Sequence, residues 1–396
     1  MKRSAFLILV LIATASVFTQ NYDESKVEDF LLPELLQSES DKPIHSKTDW
    51  TQIRRNEVLQ LFEDNVYGVV PTDFDSIRFS IIDQVGNSLN GKATYQQIKL
   101  SVVRGGNKFS FFAYIYTPND RDFAVPVFIT INNRGWKTME ASDENEFWPV
   151  EKAIDAGYAM ITFDVNELAP DDKTTFSNQL ISKLYPEQLS QKNGMRALGA
   201  WGWGASRIID FLETLENIDS KRIIVVGHSR GGKAALWCGA QDQRVAVTIS
   251  NESGNSGAKI SRRNFGESVE VITRIFPHWF IPHYASFSNR ENSLPVDQHM
   301  LISLMAPRAI YVASAADDLW ADPKGQYLAL TASQPVFRLF DFNLSFPDVM
   351  PANNKQIIQL PLGFHNRDGK HDMKLFDWEC FIRFADQYFD SKFNNN

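Results

Sequence analysis

The pentapeptide Gly227-His228-Ser229-Arg230-Gly231 follows the apolar run Ile223-Ile224-Val225-Val226 and precedes the helix-forming stretch Lys233-Ala234-Ala235-Leu236-Trp237. A G-x-S-x-G sequence between a buried strand and a helix bends so sharply that the serine is held in a strained backbone conformation, its hydroxyl lifted clear of the sheet. That is where a nucleophile belongs; the competing reading is a glycine-rich turn with a bystander serine. A serine hydroxyl is weak at neutral pH and needs a base within hydrogen-bond reach, itself oriented by a carboxylate. Two histidines follow the last predicted strand: His371, in Arg367-Asp368-Gly369-Lys370-His371-Asp372, and His365, nearer the strand end and readable as a hydrogen-bonded structural histidine. Alternation along the strand points His228 away from the nucleophile, and His278, His283 and His299 read as buried or rim residues. Two positions compete for the acid: Asp317-Asp318 and Glu252.

The elements that must position these groups follow from the hydrophobic rhythm. Residues 21 to about 75 are polar and mixed, with a helix expected over Trp50–Tyr67, and read as an N-terminal arm laid over the main domain. Ile77–Asp83, Thr94–Val103 and Ser110–Thr117 read as antiparallel strands, the last two joined by the hairpin signal Arg104-Gly105-Gly106-Asn107. Short apolar strands then alternate with helices: Val125–Ile131, Tyr158–Phe163, the helix Leu198–Leu215, Ile223–Val226, Val245–Ser250, Ala309–Ser314, Ile357–Leu362 and a closing helix Leu375–Phe389. Such a rhythm implies a parallel sheet covered on both faces. Antiparallel strands followed by it make the order of an α/β-hydrolase: a three-layer sandwich with a mostly parallel sheet and antiparallel strands at its N-terminal edge. In that fold the triad runs Ser, acid, His along the chain, each at the C-terminal end of a strand. This order places His371 as the base. It favours Asp318, after Ala309–Ser314, over Glu252, one strand earlier, without excluding the latter.

Bulk properties set the remaining limits. Of 396 residues, 43% are hydrophobic and 22% charged, enough for a substantial core. The net charge of −8 with no basic patch argues against nucleic acid as a partner. Lys2 and Arg3, the apolar run from Ala5 to about Ala13 and the small-x-small site Ala13-Thr14-Ala15 have the form of a secretory leader over residues 1–15. The run is too short for a span of ~20 residues, so the mature chain, a single domain over 16–396, is expected to be exported, periplasmic or extracellular, without a membrane anchor and monomeric. The two cysteines, Cys238 and Cys380, sit in helical patterns and read as free buried thiols rather than a disulfide. No ligand-spaced cluster calls for a metal, and no cofactor is expected.

An oxyanion hole uses the backbone N–H after the nucleophile, here that of Arg230, together with a second donor. The loop Asn132-Asn133-Arg134-Gly135-Trp136 stands where lipases carry their glycine loop. The Arg230 side chain is unusual at its position: it either supplies a fixed cation to the oxyanion or pairs with a nearby acid.

These residues resemble a family. Gly227-His228-Ser229-Arg230-Gly231-Gly232-Lys233 is similar to the G-x-S-R-x-G-K motif of the glucuronoyl esterases, and Trp201-Gly202-Trp203-Gly204-Ala205-Ser206-Arg207 to their W-x-W-G-x-S-R signature. Asn251-Glu252-Ser253-Gly254, Met305-Ala306-Pro307-Arg308, Asp318-Leu319-Trp320-Ala321-Asp322-Pro323 and Gly369-Lys370-His371-Asp372 resemble further motifs, the last two those of the bacterial branch. The resemblance runs from about Ala113 to Phe389. It implies cleavage of the ester between 4-O-methyl-glucuronic acid on glucuronoxylan and a lignin alcohol, with Ser229 as nucleophile, His371 as base and Arg230 as oxyanion donor. It implies Lys233, Trp320 and Glu267 as sugar contacts, although a packed tryptophan and a solvated glutamate are the plain alternatives. The acid stands at the Glu252 position in fungal-type members and at that of Asp318 in many bacterial ones; this chain has a carboxylate at both. Two other classes stay open: another carbohydrate esterase of the same fold, such as an acetylxylan esterase, and a carbohydrate-binding relative without catalysis.

Overall fold

The structure, a computed structural model, describes residues 20–142 and 145–393; the leader expected at residues 1–15 lies outside the described residues. Among the described residues, ten strands form one sheet: β1 (Ser76–Ser88), β2 (Ala93–Arg104), β3 (Asn107–Pro118), β4 (Val125–Asn132), β5 (Ala159–Asp164), β6 (Ile218–His228), β7 (Val247–Asn251), β8 (Ala309–Ala315), β9 (Ile357–Gln359) and β10 (Leu362–Arg367). Their order is β1-β2-β3-β5-β4-β6-β7-β8-β10-β9. β1, β2, β3 and β5 pair antiparallel, whereas β5, β4, β6, β7, β8 and β10 run parallel to their neighbours. This is the mostly parallel sheet with an antiparallel N-terminal edge that the hydrophobic rhythm predicts. The β2–β3 turn has Arg104 opposite Asn107, leaving Gly105 and Gly106 in between with φ of 55° and 79°. A two-residue hairpin turn needs that left-handed conformation, which glycine adopts at no steric cost.

Strand side chains alternate between two cores. Ile223 and Val225 of β6 face the layer with the helices Ala197–Leu212, Arg230–Gln241 and Pro323–Arg338. Ile224 and Val226 face the opposite layer, where Trp378 and Phe381 of the Leu375–Phe393 helix and Ile154 of Val150–Asp155 pack. Full burial on both faces explains why these strands read as continuous apolar runs. The arm is more deeply built in than its polarity implies. A helical stretch runs from Lys47 to Tyr67 and buries Trp50, Val58, Phe62 and Tyr67 in the first core. Tyr67 stacks on Trp237 at 4.7 Å, bracing the helix that starts at Arg230.

One expectation changes. The single strand predicted at Ile357–Leu362 is two: β9 pairs antiparallel with β10, and Leu362–Arg367 is the strand that joins β8. Pro361 has no N–H for a ladder, which ends the first strand there. His365 therefore lies within a buried strand, its Nδ1 2.8 Å from the Tyr311 hydroxyl and its Nε2 2.7 Å from Asp377. The structural reading of that histidine holds. Cys238 and Cys380 are both buried and free.

Candidate active site

Ser229 is the hinge between β6 and the Arg230–Gln241 helix, at φ 57° and ψ −125°. A non-glycine residue there is strained, and the surroundings enforce it. The Ser229 N–H donates to the Asn251 carbonyl (2.8 Å), and the Ser229 carbonyl accepts from the Lys233 N–H (3.1 Å). The turn closes tightly enough that a Cβ on Gly227 would stand 2.1 Å from the Gly231 carbonyl oxygen. Above the turn lies a cavity of about 340 Å³ lined by Ser229, Arg230, Lys233, Glu252, Glu267, Phe276, Trp279, Asp318, Trp320 and His371, among others. The candidates from β6, β7, β8 and β10 thus meet at the C-terminal edge of the sheet.

His371 stands at the cavity mouth, its Nδ1 2.6 Å from Asp318 Oδ2 and 3.2 Å from Glu252 Oε2. The two acids are not equivalent. Glu252 is fully buried, held at φ 47°, and already accepts from Arg367 (2.7 Å) and from the Asp372 N–H (3.0 Å). Among the described residues, the Asp318 carboxylate accepts otherwise only from the Ala321 N–H at 3.3 Å. Burial works against a charged His371, but its hydrogen bonds to Asp318 and Glu252 outweigh that and raise it to about 9. Burial pushes Glu252 up to about 7, against the pull of His371 and Arg367. Glu252, Asp318 and His371 place one donor atom each within 4.8 Å of one another, a spacing that also suits a metal ion. Arg367 already supplies a compensating charge on the Glu252 side. Asp317 is exposed and outside the cavity lining.

Arg230 does pair with a nearby acid, and it lines the cavity as well. Its guanidinium pairs with Asp171 and still lines the cavity, over the rings of Trp279 (4.9 Å) and Phe276 (5.2 Å). Its Nε is buried, without a hydrogen-bond partner among the described residues. Burial works to raise the Asp171 carboxyl, and donors on His278, Arg230 and Trp279 overcome it and hold it down to about 2. No residue of the Asn132–Trp136 loop is among the described residues lining the cavity. Arg134 points instead to Asp372, with which it pairs, and to His228 Nε2 at 3.0 Å. Because arginine only donates, His228 Nε2 must accept, so its proton sits on Nδ1 and goes to Asn251 Oδ1 at 2.6 Å. His228 stays outside the cavity lining, as alternation predicts, yet its ring is not remote: it lies 4.4 Å from that of His371.

Lys233 lines the cavity with its ammonium engaged from all sides: by the Ser253 carbonyl (2.5 Å), the Asn255 carbonyl (2.8 Å) and Glu267 Oε2 (3.0 Å). Burial lowers its pKa. Glu267 Oε2 also accepts from the Asn255 N–H (3.0 Å), and the Glu267 N–H reaches the Trp320 carbonyl (2.8 Å). Glu267 is therefore buried rather than solvated, and Trp320 is partly exposed against the cavity.

Comparison with known proteins decides the family. Residues 100–341 match the sequence profile described as glucuronyl esterase, fungi. The carbohydrate esterase MZ0003, from an unknown prokaryotic organism, is 36% identical over 98% of this chain and 99% of its own length.

The chain belongs to the glucuronoyl esterase family.

Two further members fit this. The 4-O-methyl-glucuronoyl methylesterase 1 of Phanerochaete chrysosporium is 31% identical over 74% of this chain, which spans 59% of that protein. The glucuronoyl esterase structure from Solibacter usitatus superposes with a TM-score of 0.85 at 33% identity, over 92% of this chain and all of the other. As a member, the protein is a carboxylic ester hydrolase of α/β-hydrolase fold. What the sequence did not reveal is the supporting cast of this glucuronoyl esterase site: Asp171 behind Arg230, Arg134 behind His228, and Trp279 beside both cations. Asp171 follows β5 at the same sheet edge, and a search there for the acid facing Arg230 would have found it.

Proposed function

We propose that this chain is an exported serine esterase that hydrolyses esters of glucuronic acid and its 4-O-methyl ether, as in lignin–carbohydrate links on glucuronoxylan. The observation that carries the reading is the bond from His371 Nδ1 to Asp318 (2.6 Å) in a cavity shared with Ser229 and the cation Arg230. A carboxylate-oriented imidazole and a strained serine suit acyl transfer. A cation at the same wall suits a substrate whose product is an acid, and a family relative bears the name 4-O-methyl-glucuronoyl methylesterase.

Ser229 Oγ attacks the ester carbonyl carbon while its proton passes to His371 Nε2, the nitrogen left over once Nδ1 is engaged. The carbonyl electrons move onto oxygen, where the Arg230 backbone N–H and the Arg230 guanidinium at the cavity wall stabilise the charge. Collapse breaks the bond to the alcohol oxygen, which leaves with the proton from His371. Water then repeats the sequence on the acyl-serine and releases glucuronate. Asp318 orients His371 and Glu252 adds a second anion behind it. Glu267 and Trp320 meet the sugar ring, and Lys233 acts by holding Glu267 in place. The leader form of residues 1–15 supports export, and no described helix is long and apolar enough to cross a membrane. The site is complete within one chain, which supports a monomer.

Turnover of benzyl glucuronate by the wild type and its loss in Ser229→Ala are the expected results. Brisk deacetylation of acetylated xylan with no glucuronate turnover would move the chain to the acetylxylan esterases. Full hydrolysis by Ser229→Ala would remove the triad altogether.

A further inference from the structure

The segment Asn21–Lys26 is short, polar and close to the end of the described chain, a composition with little apolar reason to adhere to anything. It is nevertheless fastened. The Asn21 carbonyl accepts from the Gly266 N–H (2.8 Å), and Asn21 Nδ2 donates to the Asn264 carbonyl (2.8 Å). The Glu24 carboxylate bridges Arg263 and Lys324, the latter at 2.8 Å. Arg263 is buried and tied to Asp322 Oδ2 at 2.9 Å. Arg263, Asn264 and Gly266 stand in the loop that carries Glu267, and Lys324 opens the helix that follows Trp320; the two are joined by the Glu267 N–H to Trp320 carbonyl bond.

Held by this strap, the Tyr22 ring rests edge-on against the buried Phe265 at 6.1 Å and remains 45% exposed. Its hydroxyl lies in the field of Asp318 and Glu267, both of which line the cavity; burial first, and then these two anions, raise its pKa. The strap thus leaves an aromatic face uncovered next to the loop that carries Glu267, where a sugar ring could stack on it. Under the proposed function Glu267 and Trp320 meet the sugar ring of the uronic acid, so the ligand that fits a ring beside them is the saccharide to which the uronic acid is linked.

We propose that Tyr22, held by the Asn21–Lys26 strap, forms an outer saccharide subsite that positions the sugar unit bearing the uronic acid. The inference rests on the glucuronoyl ester reading above. It assigns the N-terminal arm a direct part in substrate choice, because the ring stacks on a sugar face that a monosaccharide ester does not extend to.

The test compares Tyr22→Ala, Tyr22→Phe and Glu24→Gln with the wild type on two substrates: methyl glucuronate, and the methyl ester of a glucuronic acid carried on a xylo-oligosaccharide. One stacked ring is worth roughly a three- to tenfold rise in KM for the oligosaccharide ester in Tyr22→Ala. Its kcat and both constants for methyl glucuronate are expected to stay within about twofold. Tyr22→Phe keeps the ring and behaves as wild type, whereas Glu24→Gln, which only loosens the strap, raises the oligosaccharide KM in the same direction. Equal effects on both substrates, or none on either, overturn the subsite. Failure of the wild type on both esters overturns instead the functional reading beneath it.

Discussion

The Nδ1 of His371 sits 2.6 Å from Asp318 Oδ2, while the second acid at the same nitrogen, Glu252, is 3.2 Å away and already bound by Arg367. The shorter bond and the less committed carboxylate favour Asp318 as the orienting acid of the proposed triad. Asp318→Asn is therefore expected to lower kcat by about 10³- to 10⁴-fold with KM little changed, the cost of a misoriented or wrongly protonated imidazole. Glu252→Gln retains a hydrogen-bonding group for Arg367 and is expected to lose no more than about tenfold. Steady-state kinetics of both variants decide it, and a larger loss in Glu252→Gln would reverse the assignment.

Two anions behind one imidazole have a consequence for pH. His371 is raised from 6.5 to about 9, so it is protonated at neutral pH and unable to accept the serine proton. The rate constant kcat/KM is then expected to rise with pH until the imidazole loses its proton near 9. Removing an anion destabilises the imidazolium, so Glu252→Gln should move this limb to lower pH. For stability the sign is opposite. A raised folded pKa stabilises below the unfolded value and is lost as pH climbs, so the contribution of His371 is full below 6.5 and fades through about 9. Profiles of kcat/KM corrected for spontaneous ester hydrolysis, with unfolding midpoints over the same range, check both signs. A limb unmoved by Glu252→Gln would sink the coupling.

In the proposed mechanism Arg230 holds the oxyanion, and Asp171 pairs with its guanidinium from behind. Arg230→Met should lower kcat by roughly 10²- to 10³-fold, the usual loss for one oxyanion donor. Arg230→Lys should recover little, since a single ammonium cannot pair with Asp171 and face the cavity as the planar fork does. Asp171→Asn keeps the shape and removes the anchoring charge, so a smaller fall of about tenfold is expected. Pre-steady-state acylation rates separate these effects from binding, and full activity in Arg230→Lys would refute a fork-specific role.

The parts legible in sequence are those whose signal is local. The turn around Ser229 announces itself because its glycines and flanking strand and helix lie within a few residues. The succession of buried strands along the chain follows from apolar runs that a doubly covered sheet requires. The pairing of Arg134 with His228 and Asp372 is not local, since these residues sit at widely separated chain positions and meet only when the loops after β4 and β10 converge on the end of β6. The same holds for Asp171 and Arg230. Lys233 marks the opposite limit: the family resemblance names it a sugar ligand, but the carbonyls of Ser253 and Asn255, which engage its ammonium, carry no side-chain signature at all.

Lys233 and Glu267 form a buried pair at 3.0 Å, both almost without solvent contact. Lys233→Met leaves the Glu267 carboxylate buried with its main countercharge gone and the Ser253 and Asn255 carbonyls unpaired. Breaking a buried pair from one side costs about 3–5 kcal/mol, so a large fall in unfolding free energy is expected, together with a raised KM as Glu267 loses its fixed position. The double variant Lys233→Met/Glu267→Gln removes the stranded charge and should regain much of the stability, although KM stays high because the polar contact to the sugar is weakened. Denaturant titration of the single and double variants reads the first effect and steady-state kinetics the second. A single variant as stable as the wild type would show that the ammonium is not the pin for Glu267, and a normal KM in the stabilised double variant would remove Glu267 from the substrate contacts.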